Sequence, residues 1–233
     1  MRVKLISYSQ PHIIPNTSTE NDNLSVQELI AYVARVSNPS NQSKKKTGEK
    51  LLKYLIKYTH WSPFEMVSAC LEVETTRDIA RQILRHRSFS FQEFSQRYAN
   101  PLDELEYEID YECRLQDEKN RQNSIELETV MDSDERVDLT MEWLTKQAEV
   151  ANLCQKNYKW AIEKGIAKEV ARKLLPEGMT KTRLYVNGTI RSWIHFIELR
   201  SANGTQKECM EVAKGCAEAI SKIFPMITEF TNE

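Results

Sequence analysis

The chain has 233 residues, of which 40% are hydrophobic and 28% are charged, and its formal net charge is −2. These values are typical of a globular protein with one large domain or two small ones, and they argue against a chain built mainly to bind nucleic acid. No apolar run approaches the roughly 18 residues that a membrane-spanning helix needs, and the N-terminus lacks the apolar stretch of a signal peptide. We therefore expect a cytoplasmic protein without a membrane or nucleic-acid partner.

The first third of the chain predicts two strands and two helices. Alternating apolar residues predict strands over residues 1–8 and 66–75. Ser25 and Glu28 have the spacing of a capping box, in which each side chain bonds the backbone amide of the other, so we expect a helix from there to about Val36. The second helix is predicted from the helical spacing of Leu51, Leu52, Leu55 and Ile56.

A third helix is predicted directly after the second strand. Thr76 or Asp78 can cap its N-terminus, and its pattern runs on into the polar segment that follows. Gln82 and Arg85 are three residues apart, so they would share a face on a continuous helix.

The second half of the chain predicts more helix than strand. The elements expected there are a strand over 107–115, one or two helices over 132–164, a short helix over 168–175, a strand over 179–187, and closing helices over 189–201 and 205–224. Asn187 and Gly188 are typical of a turn. Few, separated strands among many helices favour an α+β fold with a central, mostly antiparallel sheet flanked by helices. Neither the Rossmann nor the P-loop glycine pattern occurs, so a dinucleotide would have to bind without those devices.

An acidic segment interrupts the chain. Between Asp103 and Asp138 there are 14 acidic and 4 basic residues, so this segment has a net charge of −10 and the rest of the chain has +8. One interpretation is a solvated excursion that has no role in the chemistry. The other is that the acidic segment is set beside a body that handles anions. We expect one domain over 1–233 that carries this acidic insert at about 103–138.

The segment 82–98, QILRHRSFSFQEFSQRY, concentrates cationic and hydroxyl side chains. It contains no lysine, and the planar fork of arginine matches phosphate and carboxylate oxygens in a bidentate way. Ser90 and Ser95 add hydroxyl groups, and the backbone amides of 94–97 can complete a phosphate cradle. Glu93, the only carboxylate, would either neutralise the arginines or accept from a ligand. Two interpretations stay open, a salt-bridged surface helix and an anion site formed by Arg81, Arg85, Arg87 and Arg97.

The five cysteines suggest no special chemistry. They are widely spaced and form no CxxC pair, so we expect free thiols and no metal site. None of them lies in a motif, which argues against a cysteine nucleophile.

Residues 85–98 resemble the signature RHRxxSxNExSxR of the flavin-dependent thymidylate synthases. Every fixed position matches except Gln92, where the family usually has asparagine. Two further departures are Met66, where the family usually has histidine, and Thr189, where it usually has asparagine. The resemblance spans about residues 30–215 and leaves out the acidic insert. Its other segments are ARVS at 34–37, HWSPFE at 60–65, ARKLLP at 171–176, RSWIHFIELR at 191–200 and TQKE at 205–208.

The resemblance implies an enzyme, a methyltransferase that makes dTMP from dUMP. It takes carbon from methylenetetrahydrofolate and hydride from FAD that NADPH has reduced. The resemblance also implies a single catalytic domain with an α+β fold, and a homotetramer whose active sites lie between subunits. No cysteine nucleophile is needed, because a cation at the pyrimidine edge favours loss of the N3 proton and enriches C5 with electron density. Arg200 matches the family residue that has this role.

The resemblance also assigns binding residues. Those for dUMP are Gln82, Arg85, Glu93, Phe94, Ser95, Gln96, Arg97, Arg172 and Arg200. Those for FAD are Ser37, Ser62, Glu65, Arg85, His86, Arg87, Glu93, Thr189, Ile190, Arg191 and His195. The guanidinium groups suit the phosphate of dUMP and the pyrophosphate of FAD. His60 either lies at the entrance for folate or nicotinamide or is a structural histidine.

Two alternative functions remain. A catalytically weak member of the family would bind FAD or nucleotide but turn over poorly, because of the departures at Met66, Gln92 and Thr189. A non-catalytic module would recognise a nucleotide or RNA through the arginine cluster, and its polynucleotide binding would depend steeply on salt.

Overall fold

The computed structural model describes residues 1–11, 24–42, 44, 47–105, 108–109 and 111–232. Its helices are α1 (Val26–Ala34), α2 (Gly48–Lys57), α3 (Arg77–Ile83), α4 (Pro101–Glu104), α5 (Ser133–Glu163), α6 (Lys168–Ala171), α7 (Ile190–Arg200) and α8 (Lys207–Ser221). Its strands are β1 (Arg2–Tyr8), β2 (Ser68–Thr76), β3 (Ser90–Glu93), β4 (Arg114–Gln116), β5 (Ser124–Glu126) and β6 (Lys181–Thr189). Short 3-10 helices cover Pro39–Asn41, Ser62–Met66, Leu127–Thr129, Arg172–Leu174 and Pro225–Phe230. Within this part of the chain, no helix is both long and apolar enough to cross a membrane.

Four strands form an antiparallel sheet in the order β1-β2-β6-β3. β2 and β6 pair along their whole length, from Ser68 opposite Thr189 to Thr76 opposite Lys181. Buried and more exposed side chains alternate along β6, as a sheet with one face in the core requires. The predicted α+β fold with a central antiparallel sheet is therefore confirmed.

The core joins this sheet to α1, α2, α3, α7 and α8. Leu71 of β2 and Leu184 of β6 are fully buried, and so is almost all of Trp193 of α7. The indole Nε1 of Trp193 donates to the carbonyl of Ala69 at 3.0 Å, which ties α7 to β2. This packing fixes α7 against the sheet and therefore positions Arg200, its last residue.

α3 ends at Ile83, earlier than predicted, so the expectation that Gln82 and Arg85 share a helical face is wrong. The chain turns after α3 and enters β3, which pairs with β6. The physical reason is that apolar and polar side chains alternate here, as they do along a strand. Phe89 and Phe91 pack against the core, while Ser90 and Gln92 are exposed. Pairing this segment with β6 buries Phe89 and half-buries Phe91 against the core.

Gly188 lies inside β6, opposite Ala69 of β2, and not in a turn. An added Cβ at Gly188 would come within 2.2 Å of Cδ1 of Phe89. The missing side chain therefore makes room for a buried ring, and β6 continues to Thr189 before α7 begins. The predicted turn at Asn187 and Gly188 is wrong because close packing, and not a positive φ, calls for the glycine.

The acidic insert contains less strand than predicted. Of the strand expected over 107–115, only Arg114 and Leu115 lie in β4, which pairs with β5 in a two-stranded sheet. Residues 107 and 110 fall outside the described residues. The carboxylate of Glu108 faces Lys181 of β6 at 3.8 Å, so this charge serves a contact with the central sheet. α5 begins within the insert, at Ser133, and is one helix of 31 residues.

Candidate active site

The C-terminal ends of α7 and α3 meet at a short network of hydrogen bonds. Arg200 Nε donates to Nε2 of His86 at 2.9 Å, and Arg200 Nη2 donates to the carbonyl of Gln82 at 3.4 Å. Gln82 Nε2 donates to Oε1 of Gln206, at the start of α8, at 2.7 Å. Three residues singled out from the sequence, Gln82, His86 and Arg200, are thus brought into direct contact.

His86 acts as a neutral acceptor in this network. The residue is only 9% exposed and packs edge-to-face against Phe196, with ring centroids 4.9 Å apart. Burial, together with the nearby charges of Arg200 and His195, lowers the pKa of His86 to about 4. At neutral pH its Nε2 therefore carries a lone pair that accepts from Arg200, and the ring proton is on Nδ1.

Arg200 keeps its positive charge uncompensated. Its two partners are a neutral ring nitrogen and a backbone carbonyl, and within the described ranges no carboxylate forms an ion pair with it. The side chain is half-buried. Neutral groups therefore orient the guanidinium without cancelling its charge, as a site that stabilises developing negative charge requires.

Glu93 is the counter-ion of a residue outside the predicted arginine cluster. Its Oε1 accepts from Nη1 of Arg77 at 3.1 Å and from the hydroxyl of Thr182 at 3.0 Å. Arg77 is buried at the start of α3. Glu93 thus has its hydrogen-bond partners outside the cluster, while within the cluster its charge, after that of Glu177, helps to raise the pKa of Arg81. Its second oxygen accepts no hydrogen bond from the described residues and remains open to a ligand.

The arginines predicted to bind anions differ in their pairing. Arg81 forms two hydrogen bonds with Glu177, the shorter at 2.6 Å, and Arg97 pairs with Glu169 at 3.0 Å. Arg81 thus fits the salt-bridged interpretation. Three other guanidinium groups are exposed and form no ion pair in the part of the chain that the structure describes. They belong to Arg85, Arg87 and Arg172.

Residues 94–97 form a turn in which two backbone amides are already used. The amide of Phe94 donates to a β6 carbonyl at 2.9 Å, and that of Arg97 donates to the hydroxyl of Ser95 at 3.3 Å. The amides of Ser95 and Gln96 donate to no acceptor in the described ranges. The Gln96 side chain is buried, and its Nε2 has no hydrogen-bond partner there. A phosphate cradle at this turn can therefore rely on two amides and not on four.

The residues at the start of α7 have structural contacts of their own. Thr189 caps the helix, since its hydroxyl accepts from the amide of Ser192 at 3.2 Å. Ile190 is fully buried in the core. Arg191 Nη1 pairs with Oε1 of Glu65 at 3.0 Å, which brings two predicted FAD residues together from distant parts of the chain.

The other predicted residues are exposed and form no hydrogen bond with Arg200 or its partners. His195 is nonetheless close enough to His86 to lower its pKa. The ring of His60 lies edge-on to that of Tyr54, with centroids 6.2 Å apart. The remaining two are Ser37 and Ser62.

Two residues without a predicted role take part in the site. Gln206, which binds Gln82, lies in the segment TQKE at 205–208, so its place in a matched segment was an available signal. Arg77, which binds Glu93, had no signal of this kind, because nothing local distinguishes it from a surface arginine.

Comparisons with known proteins relate nearly the whole chain to one family. The family model described as "Thymidylate synthase complementing protein" matches residues 21–226. The chain is 48% identical over 229 residues to a probable flavin-dependent thymidylate synthase of Paramecium bursaria Chlorella virus 1, with 98% of each chain covered. It is 47% identical over 228 residues to a flavin-dependent thymidylate synthase of Synechocystis sp., with 97% of each covered.

A solved structure shares the fold. A UMP/dUMP methylase, PolB from Streptomyces cacaoi bound with 5-Br dUMP, superposes with a TM-score of 0.73 at 23% identity, and covers 98% of this chain and 93% of its own. The family model and the relatives extend over nearly the whole chain, including the elements that carry Gln82, His86 and Arg200. The chain belongs to the flavin-dependent thymidylate synthase family.

Proposed function

We propose that the enzyme makes dTMP by reductive methylation of dUMP, with methylenetetrahydrofolate as carbon donor and NADPH-reduced FAD as hydride source. The names of the two relatives at 48% and 47% identity support this activity and a flavin cofactor. The observation that carries the proposal is the uncompensated charge of Arg200, which the neutral His86 ring and the Gln82 carbonyl hold in place.

Arg200 is the residue that we assign as catalytic. Methylation at C5 of uracil requires electron density at that carbon, and loss of the N3 proton supplies it. A guanidinium at the pyrimidine edge stabilises the resulting anion, and does so most effectively where no carboxylate competes for it. The low pKa of His86 supports this role, because a protonated His86 would repel Arg200.

The cysteines support a mechanism without a thiolate nucleophile. All five are free. Burial raises the pKa of the thiols of Cys70, Cys209 and Cys216. A raised pKa leaves little thiolate at neutral pH, and the thiolate is the reactive form.

FAD fits the arginines after α3 and at the start of α7. Arg85 and Arg87 are exposed and form no ion pair among the described residues, and pyrophosphate oxygens are the partners that a guanidinium fork prefers. Arg191 is paired with Glu65, but both side chains are nearly half exposed, so exchanging this pair for a ligand costs at most about 1 kcal/mol. When bound and reduced, FAD supplies the hydride.

The phosphate of dUMP fits the 94–97 turn and the short helix after α6. Within the described ranges, Arg172 forms no ion pair and the amides of Ser95 and Gln96 have no acceptor, so these amides add two donors. Arg97 would leave Glu169, an exposed partner whose loss costs about 1 kcal/mol or less.

The co-substrates NADPH and methylenetetrahydrofolate complete the proposal. His60 and Tyr54 lie edge-to-face, and Tyr58 adds a third exposed ring 4.6 Å from that of Tyr54. This aromatic surface supports a role for His60 beside a planar ring of folate or nicotinamide.

Three departures from the family pattern do not touch the Arg200 network. Met66 is 60% exposed, Gln92 is exposed on β3, and Thr189 caps α7. None of the three forms a hydrogen bond with Arg200 or His86. Their positions favour a competent enzyme over a catalytically weak one.

The assembly that we propose is a homotetramer with active sites shared between subunits. α5 carries an apolar stripe at spacings of seven, three and seven residues, which places its members along one face. Monomeric proteins rarely expose an apolar patch of this kind, so the stripe supports self-association. Its members are Trp143, Val150, Leu153 and Trp160, exposed by 42%, 45%, 59% and 53%.

A cytoplasmic location and a single catalytic domain over 1–233 complete the proposal. Free thiols at all five cysteines support a reducing compartment. The ion pair between Lys181 of β6 and Glu108 supports an insert that belongs to the same domain.

The test is dTMP formation from dUMP with FAD, NADPH and methylenetetrahydrofolate. Arg200→Ala should lower turnover by roughly 100-fold or more, because it removes a charge aimed at the developing anion, while flavin content stays unchanged. Arg2→Ala, at an exposed arginine on β1, is the matched control and should retain wild-type turnover. A wild-type protein that gains no flavin absorbance and forms no dTMP would refute the proposed function.

A further inference from the structure

The acidic insert is fastened to the start of α8 by charged side chains. Arg114 of β4 bonds Glu208, and Lys207 bonds Glu112 at 2.9 Å and Glu126 at 3.0 Å. Glu112 also bonds Arg114 at 3.0 Å, which joins all five side chains into one network. We call these five residues the insert clasp.

The centre of the insert clasp is shielded from water. The side chain of Arg114 is 13% exposed and that of Glu208 is 29% exposed. Burial alone would raise the pKa of the Glu208 carboxyl, but its own backbone amide, Arg114 and the side chain of Gln206 hold that pKa below its ordinary value. A partly buried pair holds its geometry firmly, because removing one partner leaves an uncompensated charge.

The insert clasp adjoins the Arg200 network along the chain. Lys207 and Glu208 directly follow Gln206, which is the N-cap residue of α8. The side chain of Gln206 does not cap its helix but accepts from Gln82 at 2.7 Å. The carbonyl of Gln82 in turn accepts from Arg200 at 3.4 Å. A continuous series of contacts therefore leads from the acidic insert to Arg200.

We propose that the insert clasp positions the nucleotide site: it fixes the first turn of α8, so that Gln206 holds Gln82 and, through Gln82, orients Arg200 towards dUMP. The inference rests on the proposed function of Arg200. Arg114, Lys207 and Glu208 are positioning residues in this scheme and touch no substrate. In this scheme the carboxylates of the insert support the site, whereas a solvated insert would have no role in the chemistry.

The test uses Arg114→Gln in the full-length, FAD-loaded enzyme. We expect the KM for dUMP to rise roughly tenfold, because Gln82 and Arg200 are both predicted to hold dUMP and lose their orientation. The kcat should fall as well, because a misoriented Arg200 stabilises the developing anion less. The Kd for FAD should stay unchanged, since none of the predicted FAD residues belongs to the clasp. Arg114→Lys, which keeps a charge for Glu208, should restore part of the affinity.

Arg136→Gln is the matched control. Arg136 of α5 pairs with Glu128 at 3.4 Å, so this change also removes an arginine from an ion pair of the insert. Among the described residues, neither member of this pair forms a hydrogen bond or ion pair with α8. Its KM for dUMP should stay within about twofold of wild type. Equal effects of Arg114→Gln and Arg136→Gln would mean that general destabilisation, and not the clasp, acts on the site.

Two further measurements keep the inference falsifiable. Gln206→Ala removes the contact between α8 and Gln82, so adding Arg114→Gln to this variant should change KM little further. Fully additive effects of the two changes on KM would overturn the inference. If Arg114→Gln does not fold, Glu126→Gln removes only one of the two partners of Lys207 and should raise the KM roughly threefold. If the wild type is active and every folded clasp variant keeps its KM, the clasp does not position the site, but the proposed function stands. If the wild type is inactive, the proposed function itself is refuted.

Discussion

A buried, neutral histidine makes the stability of this protein depend on pH. The pKa of His86 is about 4 in the folded protein, against an ordinary value of 6.5. The unfolded chain therefore binds this proton more readily, so the contribution of His86 is complete above pH 6.5 and is lost as the pH falls towards 4. The loss amounts to about 3 kcal/mol at most.

His86→Gln should weaken this pH dependence. Glutamine offers a carbonyl oxygen that can still accept from Arg200, but it does not titrate. Urea unfolding at several pH values should therefore show a smaller fall in the free energy of unfolding between pH 6.5 and 4 for the variant than for wild type. Parallel curves for the two proteins would show that His86 is not the titrating group.

At the scale of single residues, the sequence singled out side chains that the structure brings into contact, but it did not predict all of their partners. Gln82, His86 and Arg200 were assigned from the family resemblance and are in contact. Glu93 shows what local sequence cannot predict, which is a partner set by strand pairing. Its partner, Arg77, is 16 positions away and meets it only because β3 pairs with β6 beside the start of α3, and local spacing contains no trace of that pairing.

At the scale of elements, Gly188 is the position where β6 depends on a missing side chain. Gly188→Ala would place a methyl group 2.2 Å from Phe89, whose ring packs against Trp193 with centroids 4.5 Å apart. The ring must shift within a filled core, so we expect the free energy of unfolding to fall by about 2–3 kcal/mol in urea titrations.

Two comparisons isolate the cause. Gly178→Ala, where the nearest atom to an added Cβ is 4.0 Å away, should change stability by less than about 0.5 kcal/mol. In a Phe89→Leu background, Gly188→Ala should cost clearly less than in wild type, because the smaller side chain can retreat. The same cost in both backgrounds would show that contact with the ring is not the reason for the glycine.

β3 and the reason for Gly188 were not predicted because both depend on where Phe89 and Phe91 pack in the folded chain. The alternation of Phe89 and Phe91 with polar residues is a strand signal, but it lies in a segment dominated by polar and cationic chemistry, directly after a helix. The need for a glycine at position 188 exists only once Phe89 lies over β6. β2 and α7 have a regular apolar pattern over nine or more residues, and the sequence predicted both close to their observed bounds.

At the scale of the whole molecule, composition alone left the acidic insert with two interpretations. The structure favours a docked insert, since Arg114 meets Glu208, 94 positions away, and Lys207 meets two carboxylates of the insert. Net charge counts residues but does not reveal which of them find partners. Tertiary packing decides this, and it brings the insert to the same end of α8 that supports Gln82.

The apolar stripe on α5 leads to a prediction about assembly. Leu153→Glu combined with Trp160→Glu places two carboxylates where 59% and 53% of the original side chains are exposed in the single chain. If the stripe is buried between subunits, each charge must be desolvated, so light scattering should show a smaller species. Far-UV circular dichroism should be unchanged, and dTMP formation should fall with the mass, because shared active sites come apart.

Asn152→Glu combined with Lys159→Glu adds the same number of carboxylates to exposed positions off the stripe and should leave both mass and activity intact. A stripe variant that keeps its mass would exclude this face as the interface, and a dissociated variant that stays fully active would exclude shared sites.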